Sequence, residues 1–173
     1  EVSAITGADL PAGSVLQVVS VAKTDTFSGA QSANSMSGTN VTNLIPAITP
    51  SSSSNKILVT VSVHLSSSAA SGTADVEKGF KLFRSGTAIA TGASAGSRTL
   101  VTAMQHHTNK DGQGNMSMTF LDSPSTTSEI NYSIRLWNGG GGTNTMFVNR
   151  GSDGDGSYTA RTISTITLME IAG

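Results

Sequence analysis

The sequence predicts an all-β fold, specifically a jelly-roll-like β-sandwich of about eight to ten strands. Apolar and polar residues alternate over short runs, which is typical of strands with one buried face. Clusters of Gly, Ser and Asn separate these runs at intervals of roughly 8 to 15 residues. No stretch keeps the helical period of about 3.6 residues, so we expect a core built from strands.

Chain length and the first residues predict one domain preceded by a short arm. The chain has 173 residues, which suits one domain with a normal core. Residues 1–13 have no sustained period and contain Gly7, Pro11 and Gly13, which indicates an arm or linker. We therefore predict a single β-sandwich over residues 14–173. Because the chain starts with Glu and not Met, we expect it to be processed or a piece of a longer protein, of which a piece is the simpler interpretation.

Two interior strands, 56–65 and 129–138, show the clearest alternation. The apolar residues predicted to face the core are Ile57, Val59, Val61, Val63 and Leu65 on the first strand and Ile130, Tyr132, Ile134 and Leu136 on the second. Leu58 alone interrupts the polar face of the first strand, and Trp137 falls in the outward register of the second.

Shorter runs complete the predicted sheets. The Ser- and Asn-rich stretch 23–55 is interpreted as a long connection with one or two short edge strands; a flexible linker between domains is the alternative. The remaining predicted strands are 78–84, 87–91, 97–106, 115–121 and 145–149.

The first and last strands, 14–22 and 161–171, differ from the interior ones because each is apolar on both faces. On the first strand, one face holds Val15, Val19 and Val21, and the other holds Leu16 and Val18. On the last strand, one face holds Ile166 and Leu168, and the other holds Ile163, Met169 and Ile171. A strand that is apolar on both faces must be covered on both. We expect these strands to be neighbours, with one face in the core and the other against copies of the chain.

This argument predicts an oligomer interface that contains Leu16, Val18, Ile166 and Leu168. The sequence leaves open which face of the two strands belongs to the core and which to the interface. Substitution of Val18 or Leu168 by Asp separates the two cases, because it breaks assembly at an interface and unfolds the subunit at a core position.

Composition excludes several functional classes. The chain has 10 Lys and Arg against 11 Asp and Glu, a formal net charge of −1, and the charges are scattered singly. Nucleic acids and anionic membranes require a basic patch, so we predict neither as a partner. No apolar run approaches the ~20 residues that insert as a membrane helix. Since Cys is absent, disulfides, thiol catalysis and zinc–cysteine sites are excluded.

One loop has a spacing typical of metal ligands. In Asp153-Gly-Asp155-Gly-Ser157, oxygen-bearing side chains alternate with glycines, which suits a calcium ion. The loop lacks the rest of an EF-hand, and a plain Gly/Asp turn is the alternative. No other cofactor is predicted, because His106 and His107 point to opposite faces of a strand and are interpreted as surface residues.

Trp137 is the single tryptophan and is followed by four glycines. An exposed indole beside such a loop forms a platform for a sugar ring, and Arg150 and Tyr158 join this candidate ligand site if their loops meet at the same end. The alternative is that Trp137 packs at an oligomer interface or over the end of the sandwich. We predict no enzymatic activity, because the acidic residues are isolated and no nucleophile elbow or phosphate-binding loop occurs.

Four segments of the sequence together suggest a family. They are Ser54-Asn-Lys-Ile-Leu-Val59, Phe120-Leu-Asp-Ser-Pro124 with Thr126-Thr-Ser128 and Tyr132, Asn149-Arg-Gly-Ser-Asp-Gly-Asp155, and Ser164-Thr-Ile-Thr-Leu-Met-Glu-Ile171. These strings resemble the C-terminal β-rich domain of fibre and appendage proteins of marine and cyanobacterial viruses, over roughly residues 12–171. They are strand and turn sequences, so no binding residue is transferred from the family.

The resemblance implies an extracellular protein on the virion surface, such as part of a phage tail fibre. It implies a homotrimer whose distal loops contact a host-surface glycan or receptor, or another virion protein. The predicted architecture is similar to the trimeric jelly rolls of C1q and tumour necrosis factor domains, with the terminal strands in the inner sheet. Two functions follow as expectations: host attachment, or a capsid-decorating or purely structural role without a host ligand.

Overall fold

The computed structural model describes residues 10–68, 76–107, 112–152 and 160–173. These residues form twelve strands and contain no helix. In chain order the strands are β1 (Val15–Lys23), β2 (Phe27–Gln31), β3 (Ser35–Met36), β4 (Ala47–Ile48), β5 (Lys56–Ser67), β6 (Val76–Arg84), β7 (Thr87–Ile89), β8 (Ala103–His107), β9 (Gly114–Asp122), β10 (Ile130–Asn138), β11 (Asn144–Val148) and β12 (Ser164–Ile171).

The strands form two six-stranded antiparallel sheets. The first sheet has the order β1-β12-β5-β11-β2, with β9 also paired to β5. The second has the order β3-β10-β6-β7, with β4 paired to β10 and β8 paired to β6. The predicted all-β sandwich is confirmed, whereas the jelly-roll connectivity stays a prediction.

Strand β5 is the longest element and organises the first sheet. Its residues from Ile57 to Leu65 pair with β9. Along its other edge, β12 pairs with Lys56 to Ser62, and β11 then pairs with the last three residues of the strand. Since all these ladders are antiparallel, β5 fixes the register of three neighbouring strands.

The first and last strands are neighbours, as the sequence predicts. In the antiparallel ladder between β1 and β12, Val18 lies opposite Met169 and Val19 lies opposite Leu168. The pairing skips one residue between Val15 and Gln17, which is a β-bulge. The bulge explains why the alternation of β1 is irregular: Val15 is exposed, although by simple counting it shares a face with Val19.

The core lies between the two sheets and closely matches the predicted core. It contains Ile57, Val59, Val61, Val63 and Leu65 of β5, Ile166 and Leu168 of β12, Phe80 and Leu82 of β6, and Ile130, Tyr132, Ile134 and Leu136 of β10. Each of the five β5 residues is 0% exposed. Alternation alone therefore identified the buried faces of the interior strands correctly.

Two element predictions were wrong in extent. The stretch 23–55 contains three short strands, β2, β3 and β4, and not one or two. The predicted strand 97–106 is reduced to β8, because residues 91–102 form an irregular connection. The edge of β6 from Leu82 to Arg84 is already paired with β7. Residues 91–102 therefore cannot pair with β6 at those positions.

A buried carboxylate joins the Ser-rich turn before β5 to the last strand. Glu170 is 1% exposed. It accepts hydrogen bonds from the Ser51 backbone N–H (2.6 Å), the Ser51 hydroxyl (2.8 Å), Asn55 Nδ2 (2.6 Å) and Gln17 Nε2 (2.7 Å). Burial by itself raises the pKa of Glu170, but these hydrogen bonds favour the charged form and bring the pKa below its ordinary value.

A second polar network connects the two sheets. Asp122, at the end of β9, accepts two hydrogen bonds from Arg84 Nη1 on β6, at 2.8 and 2.9 Å. The Tyr132 hydroxyl on β10 donates to Asp122 Oδ2 at 2.6 Å. Burial, followed by the bond to Asp122, raises the pKa of Tyr132 well above its usual range. The network therefore holds a neutral phenol and an ion pair at one end of the core.

Candidate functional site

The first candidate site is the outer face, which we define as the side of β1, β12, β5 and β9 that points away from the core. Strand pairing places its side chains in rows across the sheet. The apolar row consists of Val18, Met169, Leu58 and Leu121, each directly opposite the next. Neighbouring strands are about 4.8 Å apart, so the row spans roughly 15 Å.

The apolar row is partly open to solvent. Val18 is 55% exposed and Leu121 is 47% exposed, at the two ends of the row, while Met169 and Leu58 between them are half-buried. Single exposed apolar residues are common on protein surfaces, but an aligned row over four strands marks a candidate contact surface.

The rest of the outer face consists mainly of small hydroxyl side chains. The next row is Ser20, Thr167, Thr60 and Thr119, and the row after it is Ala22, Thr165, Ser62 and Ser117. Cross-strand hydrogen bonds satisfy part of this surface, with Ser20 Oγ 2.8 Å from Thr167 Oγ1 and Asn115 Nδ2 2.9 Å from Ser62 Oγ. These two rows have small side chains without charge, so a flat partner can approach closely. The exposed Lys56, opposite Ile171, lies on the other side of the apolar row.

The structure assigns the faces that the sequence left open, and it divides the four predicted interface residues. Ile166 and Leu168 are both 0% exposed and belong to the core, so their assignment to the interface was wrong. Leu16 is half-buried beside the β-bulge. Of these four residues, only Val18 is exposed on the outer face. The alternation of β12 is regular, and the face with Met169 and Ile171 is the outer one.

The second candidate site is a cleft of about 500 Å³ on the second sheet, which we call the Trp137 cleft. Its polar lining consists of Asn34, Glu77, Ser97, Arg98 and Thr99, and its apolar lining consists of Val101, Met104 and Trp137. The lining comes from the β2–β3 turn, from β6, β8 and β10, and from the irregular 91–102 connection. This volume is within the range of small-molecule sites.

Trp137 points outward as predicted but is only 6% exposed, so the expectation of an exposed indole platform was wrong. Across the second sheet Trp137 pairs with Met36 on one side and with Gly79 on the other, and Gly79 in turn pairs with Met104. A Cβ at Gly79 would be 3.1 Å from Trp137 Cε3, and a Cβ at Gly139 would collide with the six-membered ring. The indole is therefore packed against two glycine backbones.

The indole nitrogen of Trp137 has no hydrogen-bond acceptor among the described residues. Nε1 is buried, and within the described part of the chain it makes no hydrogen bond. A buried donor without a partner costs about 1–3 kcal/mol, so native proteins rarely keep one without a reason. The glycine contacts involve only the six-membered ring of the indole and leave the N–H unexplained.

Two opposite charges line the same cleft without pairing. Glu77 and Arg98 both face it, yet the ion pairs of the described residues are Lys23–Asp25 and Arg84–Asp122. Asn34, in a left-handed turn conformation with φ 52°, adds an amide at the edge. The cleft thus offers donors and acceptors that no side chain of the described ranges satisfies.

Arg150, the other predicted ligand residue within the described ranges, is separate from the Trp137 cleft. Arg150 follows β11 of the first sheet, and its guanidinium lies 4.7 Å from the centre of the Phe147 ring. Its Nε donates to the Gly151 carbonyl at 3.1 Å, so it does not join Trp137. Tyr158 and the predicted calcium ligands Asp153 and Asp155 lie outside the described residues, and ligand and calcium binding there stay predictions.

No family model matches the sequence, and no curated protein matches it.

Within the ranges that the structure describes, no cluster of three or more acidic or histidine side chains is arranged to hold a metal ion. The described residues also include no helix of the length and hydropathy needed to cross a bilayer.

Sequence patterns gave only partial signals for these two sites. Leu58 was visible as the one break in the polar face of β5, and Met169 as a member of the second apolar face of the last strand. Leu121 and the cleft residues Glu77 and Arg98 gave no signal, because strand register and an irregular connection bring them into place. Only the structure shows that these residues form the apolar row of the outer face and the lining of the Trp137 cleft.

Proposed function

We propose that this chain is a homotrimeric domain of a virion-surface fibre or appendage that assembles through its outer face and attaches the particle to a host surface. The observation that carries the proposal is the apolar row of Val18, Met169, Leu58 and Leu121. Its continuation into uncharged hydroxyl rows supports close packing between identical subunits. The resemblance of the strand and turn sequences to viral appendage domains supports the place of action.

Energetics favour assembly through this face. Complete burial of an apolar side chain of this size contributes about 1.5–3 kcal/mol, and these four are already partly covered. Their remaining exposed area gives on the order of several kcal/mol for each subunit, and the hydroxyl rows add contact area without a charge to desolvate. The position of β1 beside β12, and of β12 beside β5, also supports a jelly roll that trimerises through its terminal-strand sheet.

Oligomeric state tests the assembly. Light scattering on the purified protein is expected to give three times the chain mass of 17.6 kDa. Leu121→Asp is expected to reduce this to one chain mass, because it introduces a charge into the apolar row. Ile45→Asp is the matched control, since Ile45 is 39% exposed in the connection before β4, away from the outer face. A wild-type protein that remains monomeric would contradict the proposal.

Attachment is tested separately from assembly. Purified trimer carrying a fluorescent label is expected to coat host cells and to reduce adsorption of the virus. If the trimer forms but neither coats cells nor competes, attachment is excluded and the capsid-decorating or structural alternative is favoured.

A further inference from the structure

We propose that the Trp137 cleft binds one ring of a neutral sugar, recognised by Glu77, Arg98 and the indole N–H of Trp137. The role of this sugar as a host-surface glycan rests on the proposed function, but its binding to the cleft does not. The site differs from the indole platform expected from the sequence, because Trp137 contributes a hydrogen-bond donor and not an exposed ring face.

The charges of the cleft select a ligand without net charge. Glu77 is an acceptor and Arg98 is a donor, and they line the cleft without an ion pair between them. An anionic ligand would meet the Glu77 carboxylate, and a cationic one would meet the Arg98 guanidinium. A hydroxyl group both donates and accepts, so the hydroxyls of one sugar can match an acidic and a basic side chain that line the same cleft.

The remaining lining suits a pyranose ring. Ser97, Thr99 and Asn34 add hydroxyl and amide groups. Met104 is 43% exposed and forms the apolar part with Val101, and this surface can cover the C–H face of a sugar. The cleft volume of about 500 Å³ accommodates one ring.

The buried N–H of Trp137 supports a ligand in the cleft independently of the two charges. This donor belongs to a residue that lines the cleft and is 6% exposed, and it has no acceptor among the described residues. Residues 97–99 line the same cleft, have exposed side chains and lie in the irregular 91–102 connection. Entry of the sugar shifts this connection and gives the indole N–H a hydroxyl oxygen as acceptor.

The location of the cleft is compatible with assembly. Trp137 points away from the core on the second sheet, whereas the outer face belongs to the first sheet. The two surfaces therefore lie on opposite sides of the sandwich. A trimer built through the outer face leaves each cleft directed toward solvent.

Trp137 provides a specific measurement because it is the only tryptophan in the chain. The protein is titrated with the methyl glycosides of glucose, galactose, mannose and N-acetylglucosamine, and with glucuronate, glucosamine and glycine as charged or zwitterionic probes. At least one neutral glycoside is expected to change the tryptophan emission with a Kd on the order of 1 mM, and the charged probes are expected to bind more weakly.

Variants identify the residues that bind. Glu77→Gln and Arg98→Met are each expected to weaken binding about tenfold or more, because each removes a hydrogen bond to a charged group. Arg98 lies in an exposed connection, so its replacement does not threaten the fold. Lys56→Gln, on the first sheet, is the control and is expected to bind as wild type.

The proposal is overturned if no neutral glycoside changes the emission, if glucuronate, glucosamine or glycine binds more tightly, or if Arg98→Met binds as wild type. Failure of the proposed function is distinguishable, because Val18→Asp is expected to prevent trimer formation and still bind the glycoside. Sugar binding by a protein that never forms a trimer supports the cleft and rejects only the assembly.

Discussion

The indole of Trp137 lies against the backbone of Gly79 on the neighbouring strand, and a Cβ at Gly79 would be 3.1 Å from Trp137 Cε3. Because Gly79 has no side chain, the ring lies across β6 toward Met104 instead of projecting into solvent. Gly139 contacts the far edge of the ring. Two glycines thus convert an outward-facing tryptophan into a buried one and fix the wall of the cleft.

Gly79→Ala is expected to destabilise the protein by about 1–3 kcal/mol, the usual cost of overpacking. The new Cβ would be 2.6 Å from the Ala103 carbonyl oxygen as well as close to the indole. We expect a lower midpoint in urea unfolding and tryptophan emission shifted to longer wavelength, because the ring is pushed toward solvent.

Gly92→Ala is the control for this substitution, since no atom lies within 4 Å of a Cβ at Gly92. It is expected to change stability by no more than about 0.5 kcal/mol. Gly79 lies in β6, where alanine without a clash would be more stable than glycine by roughly 0.5–1 kcal/mol. A Gly79→Ala protein that is more stable than wild type would show that the indole does not pack as described.

The core faces were predictable because alternation and burial agree along the interior strands. Each β5 residue predicted to be buried is buried, and the pairing of β1 with β12 followed from their shared two-sided pattern. The interface assignment failed for a physical reason. A strand that is apolar on both faces must be covered on both. The periodicity of its residues does not show which face packs against the opposite sheet.

Leu168→Asp and Val18→Asp are expected to have opposite outcomes, because the two residues lie on different sides of the first sheet. Leu168 is 0% exposed, so a carboxylate there has no water and no partner, and we expect a loss of about 4 kcal/mol or more, enough to unfold the subunit. Val18 is 55% exposed, and Asp there is expected to leave the subunit folded and to break the trimer.

Circular dichroism and light scattering on the same samples separate these outcomes. Val18→Thr is the control, because it keeps the β-branched shape without adding a charge, and it is expected to retain most of the assembly. A folded Leu168→Asp protein would contradict the assignment of that residue to the core.

The Trp137 cleft was predictable only in part. The single tryptophan and the glycines after it drew attention to the right strand, but Glu77 and Arg98 are isolated charges in the sequence. They line the same cleft because β6 pairs with β8 and because the connection before β8 also lines this cleft. An irregular connection has no periodicity, so its contacts do not follow from a residue pattern.

Tyr132→Phe and Asp122→Asn test the polar network between the sheets. Tyr132→Phe removes a hydrogen bond of 2.6 Å to a carboxylate and is expected to cost about 1.5–3 kcal/mol. Asp122→Asn removes the charge that faces Arg84. The Arg84 side chain is 27% exposed and is hydrated by water when the ion pair is lost, so this variant is expected to cost no more than a similar amount. The double variant is expected to lose less than the sum, because Tyr132→Phe removes and Asp122→Asn weakens the same hydrogen bond.

Urea unfolding of the two single variants and the double variant forms the cycle. Strict additivity would show that Tyr132 and Asp122 do not interact, contrary to the geometry. Ser123→Ala, at an exposed position next to Asp122, is the control and is expected to change stability by no more than about 0.5 kcal/mol.

Glu170→Gln is expected to lower stability at neutral pH by about 2–3 kcal/mol, because a neutral amide accepts the hydrogen bonds of Ser51, Asn55 and Gln17 poorly. The pKa of Glu170 in the folded protein is below its ordinary value of 4.5, so the unfolded chain takes up a proton first as the pH falls. The carboxylate therefore stabilises the fold fully above about pH 4.5 and loses this effect as the pH falls through the lower folded pKa.

The difference in unfolding free energy between wild type and Glu170→Gln should consequently be constant near neutral pH and shrink below about pH 4.5. Urea titrations at a series of pH values measure it directly. Glu129→Gln, at an exposed position before β10, is the matched control and is expected to lie within about 0.5 kcal/mol of wild type at neutral pH. A gap between wild type and Glu170→Gln that stays constant into the acid range, or that widens there, would mean that the hydrogen bonds around Glu170 do not favour its charged form.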